Sequence, residues 1–536
     1  MHCFTRPIFA LAISLVAAGA APAFARDDDA EIQARLARLE AQNAALIDYL
    51  RAHSNDPAAA ALIARLQSAA APASAPAIAP ATAPMADKSA TSSEYVPVPQ
   101  AQAMDLIGTS SSYSAMMLSH TEWTNTKTMV LLQAEKNGDI AHHLTIGGDV
   151  IALGDWEYSN TASKFGWLMR QPTANNQVGH HVSELAINSV QMSLTARANS
   201  FITAYAELLY NPETSFATGS NTIIGRNVVS VGRSFVTFGN LAKLPVYLSV
   251  GKLDVPFGQN DSVSPFSNST SWHAFGGLAN EAELGYFDHG LSLRAAAIEG
   301  GAQFRAVNTP VDGTNVPSLV NNYALDANYT LDFSGGSIKV GGSYEHGSDY
   351  GSSYPIVHFT TAVINNPAFA AYGKIRYGRL LIMGDFGRTL QAWPGSATLN
   401  LPGLGPNPYG LLPASKVTSR TLGARYNAPI TPSGIDLSFE FSNFTAGPSG
   451  TPWHRQNQWV LGLKHQFEPA VKVFAEGLHT QGYVPLNFMT GGNGGGACGA
   501  NTCTAATTPP GVNPYASWSV SGAISNIAVL GVEAAF

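Results

Sequence analysis

The stretch "NNYALDANYTLDF" carries Tyr323, Leu325, Ala327, Tyr329, Leu331 and Phe333 at every second position, with Ala324, Asp326, Asn328, Thr330 and Asp332 between them. Successive side chains of a strand point to opposite faces, so this spacing predicts one apolar and one polar face. An "SGG" turn follows, and the next stretch sets Ile338, Val340, Gly342 and Tyr344 against Lys339, Gly341, Ser343 and Glu345. "GIDLSFEFSNF" repeats the scheme, with Ile435, Leu437, Phe439 and Phe441 against Asp436, Ser438, Glu440 and Ser442. A water-soluble sandwich would also alternate. Long strands with no helical pattern between them, joined in turn by short turns and long loops, distinguish a membrane barrel. The expected fold is all-β: a transmembrane antiparallel β-barrel of about sixteen strands.

Counting connections tests this. Short ones are expected near 199–200, 239–244, 299–301, 334–336, 378–379, 428–433 and 468–470. Long ones are expected near 154–183, 211–225, 256–284, 309–320, 348–367, 390–416, 445–456 and 481–518. Strict alternation between 299 and 320 requires Ala302–Val307 to be a short strand after the "EGG" turn. Seven turns and eight loops then give sixteen strands, with both barrel ends on the periplasmic side.

Composition agrees. Charged residues make up only 12% of the 536, there are 51 glycines, and after the N-terminus no run of eighteen apolar residues offers a helical span. The final residues "NIAVLGVEAAF" put Leu530, Val532, Ala534 and Phe536 on one face. They resemble the C-terminal aromatic signal by which outer-membrane barrels are recognised for assembly.

The N-terminal part is of another kind. Residues 1–25 have a basic start at Arg6, an apolar stretch and Ala23-Phe24-Ala25, predicting a signal peptide cleaved after Ala25. Within residues 26–69, Ile32, Leu36, Leu39, Asn43, Leu46 and Leu50 alternate by four and three, the seam of a short periplasmic coiled coil. A lone amphipathic helix is the other reading. Residues 70–104 form an Ala/Pro-rich linker, residues 105–141 a pre-barrel segment and candidate lumen insert, and residues 142–536 the barrel. Cys498 and Cys503 are the only thiols left after cleavage, and a disulfide closing their glycine-rich loop is expected of an exported chain.

Sixteen strands enclose a solvent-filled lumen, so the inward residues govern what passes. From Asp105 onward there are 22 Lys plus Arg against 27 Asp plus Glu, without the basic excess of a dedicated phosphate channel. Pro256 marks the end of a strand, and Gly258 frees the backbone to turn. If Lys252 and Asp254 face the lumen, Leu253 and Val255 face lipid.

The segment "GKLDVPFG" at 251–258 and the loop after it resemble the G-K-x-x-x-P-F-G segment of the LbtU-type siderophore porins and, more distantly, of the phosphate-selective porins O and P. "DLIGTSSSYSAMML" and "TMVLLQAEKNG" are similar to the siderophore-porin pattern, as is the layout of coiled coil, tether and barrel. The resemblance implies an outer-membrane porin giving passive passage to an iron-siderophore. A phosphate-selective, anion-selective or general diffusion porin is the alternative. By analogy with general porins, the third long loop (256–284) is expected to fold inward, a loop that caps the barrel from outside being the other reading, and Lys252, Asp254, Asp261, Trp272, His273, Glu281, Glu283, Arg376 and Arg425 are the candidate constriction residues.

No serine or carboxylate set stands at a catalytic spacing, so neither an enzyme nor a barrel adhesin is favoured, and no cofactor, metal or nucleic-acid partner is expected. Expected partners are outer-membrane lipid, the barrel-assembly machinery, a small solute and further copies of the chain. A homo-oligomer, such as the trimer common among porins, is the expected assembly.

Overall fold

The computed structural model describes residues 106–162, 164–168, 179–210, 229–299, 320–348, 350, 366–392, 415–450, 454–468, 470–484 and 520–536. The signal cleavage after Ala25, the heptad seam from Ile32 to Leu50, the linker, the Cys498–Cys503 disulfide and the strand expected at Ala302–Val307 all lie outside these residues.

A two-residue strand, β1 (Ile107–Gly108), runs parallel to the start of β2. Sixteen antiparallel strands then close on themselves. They are β2 (Leu144–Ser159), β3 (His181–Arg197), β4 (Ile202–Tyr210), β5 (Val229–Gly239), β6 (Val246–Asp254), β7 (Leu278–Asp288), β8 (Leu291–Glu299) and β9 (Val320–Phe333), followed by β10 (Gly336–Glu345), β11 (Ala368–Tyr377), β12 (Leu380–Thr389), β13 (Thr418–Ala428), β14 (Ile435–Thr445), β15 (Arg455–Glu468), β16 (Val471–Tyr483) and β17 (Val520–Ala535). Each pairs with its sequence neighbours, and β17 pairs with β2 from Ser525↔Ser159 to Ala535↔Asp149. Closure leaves no barrel edge unpaired, the condition for a sheet to stand in hydrocarbon.

Alternation decides which side chain goes where. In β9, Leu325 is 46% exposed on the outside, while its neighbour Asp326 is 3% exposed inside. Tyr323, Tyr329 and Leu331 join Leu325, and Ile338, Val340, Leu437, Phe439, Leu461, Leu530 and Val532 extend the apolar outer surface around the wall. Such a surface suits lipid and not water. The Phe536 N–H donates to Gly148 O at 2.9 Å, and the Phe536 carbonyl accepts in return from the Gly148 N–H at 3.1 Å, extending the β17–β2 ladder by one residue.

The strand count agrees with expectation, but one stretch had been read out of phase. The short turn is His289–Gly290, between β7 and β8, and not 299–301. The missed signal was "FDHG": Gly290 takes a positive φ of 83°, as a two-residue hairpin turn requires. The third long loop is therefore 255–277. Glu281 and Glu283 belong to a strand, not to that loop.

The expectation that Leu253 and Val255 face lipid is also corrected. Tyr247 and Ser249 fix the inward phase of β6, and Leu248 and Val250 the outward one. Leu253 is buried with Tyr113, Met117 and Leu131, and Val255 with Phe257, Phe275 and Ala296, all inside the barrel.

Candidate functional site

Two segments fill the lumen. The first is a helical hairpin: α1 (Ser111–Leu118), a tight linker, and α2 (Lys127–Asn137), ended by Gly138 in the left-handed conformation (φ 83°). It enters from the short-turn end, where β1 pairs with β2, Arg197 Nη1 donates to Ile140 O at 2.9 Å, and Glu135 meets Arg197 and Thr203. Its apolar residues Met117, Leu131 and Leu132 pack on the inward Tyr205, Phe235 and Tyr247 of β4, β5 and β6. Tyr113 shares a hydrogen bond with Thr195 of β3 (2.9 Å). Between the helices, Lys127 Nζ donates to the carbonyls of Met116 (2.7 Å), Ser119 (2.6 Å) and Glu122 (3.4 Å), tying the linker together. Burial, with Arg233 adding to it, pushes this ammonium down to about 7 against the opposing pull of Asp254, Glu207 and Asp261.

The second segment is loop 255–277, whose residues are buried almost throughout. Gly258 (φ 67°) and Asn260 (φ 57°) turn it inward after Pro256. Three wall carboxylates then hold its main chain. Asp385 of β12 accepts from the amides of Gln259 (2.9 Å) and Asn260 (2.8 Å). Glu440 of β14 accepts from Val263 N (2.9 Å) and Ser262 Oγ (2.8 Å). Glu476 of β16 accepts from Phe266 N (2.7 Å) and Ser267 N (3.0 Å). Each satisfies main-chain donors that would otherwise be stranded away from water. Apolar anchors alternate with these clamps. Phe266 stacks on Phe474 (5.2 Å between centroids, 7° between planes), while Phe257 and Phe275 lie against Ala296, Ala324, Ala368 and Ala370. A short helix, α3 (Thr270–Phe275), capped by Ser269, sits on Ser419, Thr421 and Ser442 of β13 and β14.

Hairpin tip and loop interlock. Ser262 N donates to Thr121 O (2.8 Å), Thr124 N and Oγ1 donate to Asp261 (3.1 and 3.2 Å), Asn125 Nδ2 donates to the carbonyls of Phe257 and Gly258, and a His120 ring nitrogen lies 2.8 Å from Phe266 O. The wall reaches the tip as well. Arg425 of β13 makes a two-pronged pair with Glu122 (2.6 and 3.2 Å), and Arg294 of β8 donates to Asn125 O (2.6 Å) while pairing with Asp326 (3.1 Å) and Glu283 (3.7 Å). Although burial opposes its charge, Glu122 is held well below the usual carboxylate range by Arg425, with Lys464 and Lys374 adding to it.

Between these segments and strands β3–β6 lies a cavity of about 90 Å3, lined by His120, Glu207, Arg233, Asp254, Asn260 and Trp272 among others. Its charged side is a bulge: Gly232 and Arg233 of β5 lie opposite the single residue Glu207 of β4. The bulge turns Arg233 onto Asp254 (2.6 and 2.8 Å) and Glu207 (3.1 Å).

The nine candidate constriction residues are thus spread over several places. Asp254 and Trp272 line the cavity, and Arg425 and Asp261 sit where the hairpin meets the wall and the loop, Asp261 also 3.5 Å from Lys374 Nζ. Lys252 is buried at the wall, its ammonium 2.8 Å from Val231 O. His273 is buried in α3, edge-on to the Trp272 ring. Glu283 accepts from Tyr247 Oη (2.9 Å), and Glu281, buried beside it on β7, makes no hydrogen bond among the described residues. Arg376 does not reach the interior: it is exposed at the short-turn rim, one residue from the end of β11.

Sequence reasoning missed Arg233, Arg294 and Glu122 as site residues. Arg233 was hidden by the bulge, which shifts the inward phase. For Glu122, no local signal says which strand a lumen segment will meet. Among the described residues no group of three or more His, Cys, Asp or Glu is placed to hold a metal ion.

No protein-family model matches the chain. In sequence it is similar to the UPF0422 protein lpl2888 of Legionella pneumophila strain Lens, 23% identical over 326 residues, covering 56% of this chain and 58% of that protein. It is also similar to a UPF0422 protein of Coxiella burnetii, 29% identical over 85 residues, 16% and 17% of the two chains. The chain thus spans less than two thirds of the length of these curated relatives. Among solved structures it is similar to the anion-selective porin from Comamonas acidovorans (12% identity, TM-score 0.43, 73% of this chain and 99% of that one). Pseudomonas putida OprB is likewise similar (9%, TM-score 0.43, 78% and 99%).

Proposed function

We propose that this chain is an outer-membrane porin giving passive passage to a small solute, with the hairpin and loop 255–277 setting the limits of size and charge. One observation carries the reading. A closed sixteen-stranded wall, apolar outside and charged inside, is filled by two segments held against it by hydrogen bonds, ion pairs and apolar contacts. An adhesin has no need of so wide a wall or of a lumen built with paired charges.

The solute to test first is the iron-siderophore implied by the resemblance at residues 251–258. The cavity of about 90 Å3 lies below the ~300 Å3 at which pockets take drug-sized ligands, so a siderophore passes only if the hairpin or the loop moves aside. A second reading, an anion-selective porin, is favoured by a specific feature. Lys339, Lys374, Arg425 and Lys464 sit on the inward face of β10, β11, β13 and β15, each within a few residues of the short-turn end.

The full chain in planar bilayers is expected to give stable single-channel steps, and their absence would overturn the porin reading. Block by inorganic phosphate with strong anion selectivity would favour the second solute class. Siderophore-dependent growth of an iron-starved strain, lost on deletion of the gene, would favour the first. We also propose that the seam from Ile32 to Leu50 joins copies of the chain in the periplasm. Deleting the region before Ala70 then weakens the oligomer on sizing in detergent, and an unchanged assembly assigns the helix to tethering alone.

A further inference from the structure

Charge on one stretch of the inner wall does not balance within the wall. Lys374 of β11, Arg425 of β13 and Lys464 of β15 all act on Glu122, and among the described residues the wall carboxylate within ion-pair distance of any of them is Asp436 of β14, 3.0 Å from Lys464 and 3.9 Å from Arg425. Lys374 has no wall carboxylate within 4 Å among the described residues, and Arg425 reaches its wall partner only at the long distance of 3.9 Å. The missing acids come from the filling: Glu122 at the hairpin tip, gripped in two-pronged fashion by Arg425, and Asp261 of the loop, 3.5 Å from Lys374. All six side chains are largely buried, the most exposed being Lys374 at 20%. Cations in such a place are costly unless an anion of some origin meets them.

The grip on Glu122 is the geometry by which arginine binds a free carboxylate or phosphate: two parallel N–H groups on two oxygens. Glu122 differs from such a ligand in being tethered to a hairpin whose tip is also held by hydrogen bonds to the loop and by the Arg294 guanidinium of β8 at Asn125 O. We propose that Arg425, Lys374 and Lys464 form a binding site on the lumen wall for a carboxylate- or phosphate-bearing solute, and that Glu122 occupies it as a tethered stand-in which the solute displaces. The proposal rests on the reading of the barrel as a conduit and adds to it a ligand class and a site. Displacement removes the tip's strongest link to the β11–β15 wall, so the anion that takes the site also loosens the segment that fills the passage.

The test uses the full chain in detergent micelles and in bilayers, with citrate and inorganic phosphate as probes and sodium chloride at equal ionic strength as control. Glu122→Gln removes the internal competitor and is expected to strengthen calorimetric binding of a probe at least tenfold over the unchanged chain. Arg425→Gln abolishes binding in either background. Equal binding with and without Glu122, or binding that survives loss of Arg425, overturns the proposal.

A measurement free of substitutions guards against variants that misfold. In the unchanged chain, citrate or phosphate raises amide hydrogen exchange of residues 119–126 while chloride does not. No difference between the probes and chloride overturns the proposal. A response to citrate alone assigns the site to carboxylates, and a response to phosphate alone assigns it to phosphates. Channel steps without any probe effect leave the porin standing and remove this site. Probe binding without channel steps keeps the site and removes passive passage.

Discussion

Both carboxylate oxygens of Glu476 accept the main-chain N–H of Ser267, at 3.0 and 3.1 Å, across 209 positions of sequence. A glutamate on the fifteenth barrel strand thereby fixes a loop that leaves the barrel at the fifth. Together with Glu440 and Asp385 it forms a line of acceptors that the loop follows along the inner wall.

If these carboxylates hold the loop, removing two of them frees it. An intramolecular hydrogen bond is worth about 0.5–1.5 kcal/mol, and the Glu440→Ala, Glu476→Ala pair removes at least one at each of two clamps. The double variant is expected to be nicked by chymotrypsin near Phe266, with wider and noisier channel steps. The unchanged chain, with Phe266 stacked on Phe474, is expected to resist cleavage there.

Acidification is expected to undock the hairpin tip. The folded chain holds the Glu122 carboxyl below its ordinary value, so the unfolded or undocked form binds the proton more readily. The contribution of this group is complete above the ordinary glutamate pKa of about 4.3 and is lost as the pH falls below it. The groups facing Glu122 are Arg425, in direct contact, Lys374 and Lys464, which add positive charge, and Asp436 and Asp261, which pair with those cations. Tryptophan fluorescence of Trp123, read against a Trp123→Phe control, should change on titration from pH 6 to 3, and Glu122→Gln should flatten that response.

The outer surface predicts a depth-dependent penalty. Leu325 lies midway along β9 and faces outward, so Leu325→Arg should cost about 2–4 kcal/mol in urea unfolding from lipid vesicles. The neighbouring inward change Ala324→Ser should cost far less. Equal costs would argue against a lipid-facing exterior.

Arg233 stands between two carboxylates, and its loss strands both. Arg233→Met should destabilise the barrel by about 3–5 kcal/mol, the range for removing one member of a buried charge group. Changing Asp254 and Glu207 to their amides in the same chain should restore much of it. Thermal unfolding of the unchanged chain and the two variants in detergent checks the order.

The wall was legible because a strand's period of two leaves no freedom: once hydrocarbon lies outside, Tyr323, Leu325 and Tyr329 can face only one way, and Asp326 and Asn328 only the other. Turn positions were less legible where the punctuating residues were weak. "FDHG" was passed over in favour of "EGG", which displaced the third loop by several residues and moved Glu281 and Glu283 from strand to loop. Asp254 does line the cavity, but the phase of β6 is set by Tyr247 and Ser249 and Lys252 lies buried at the wall, so charge alone does not report phase.

From sequence alone came the fold class, the strand number and the two faces of nearly every strand, because those follow from local alternation repeated sixteen times in a chain with no other way to bury it. The filling of the lumen came only with the tertiary structure. Glu122 meets Arg425 across 303 positions, and Ser267 meets Glu476 across 209, through contacts that depend on how far around the barrel each segment travels before its polar groups find partners. No local pattern encodes that distance, since it is fixed by the closed geometry of all sixteen strands at once.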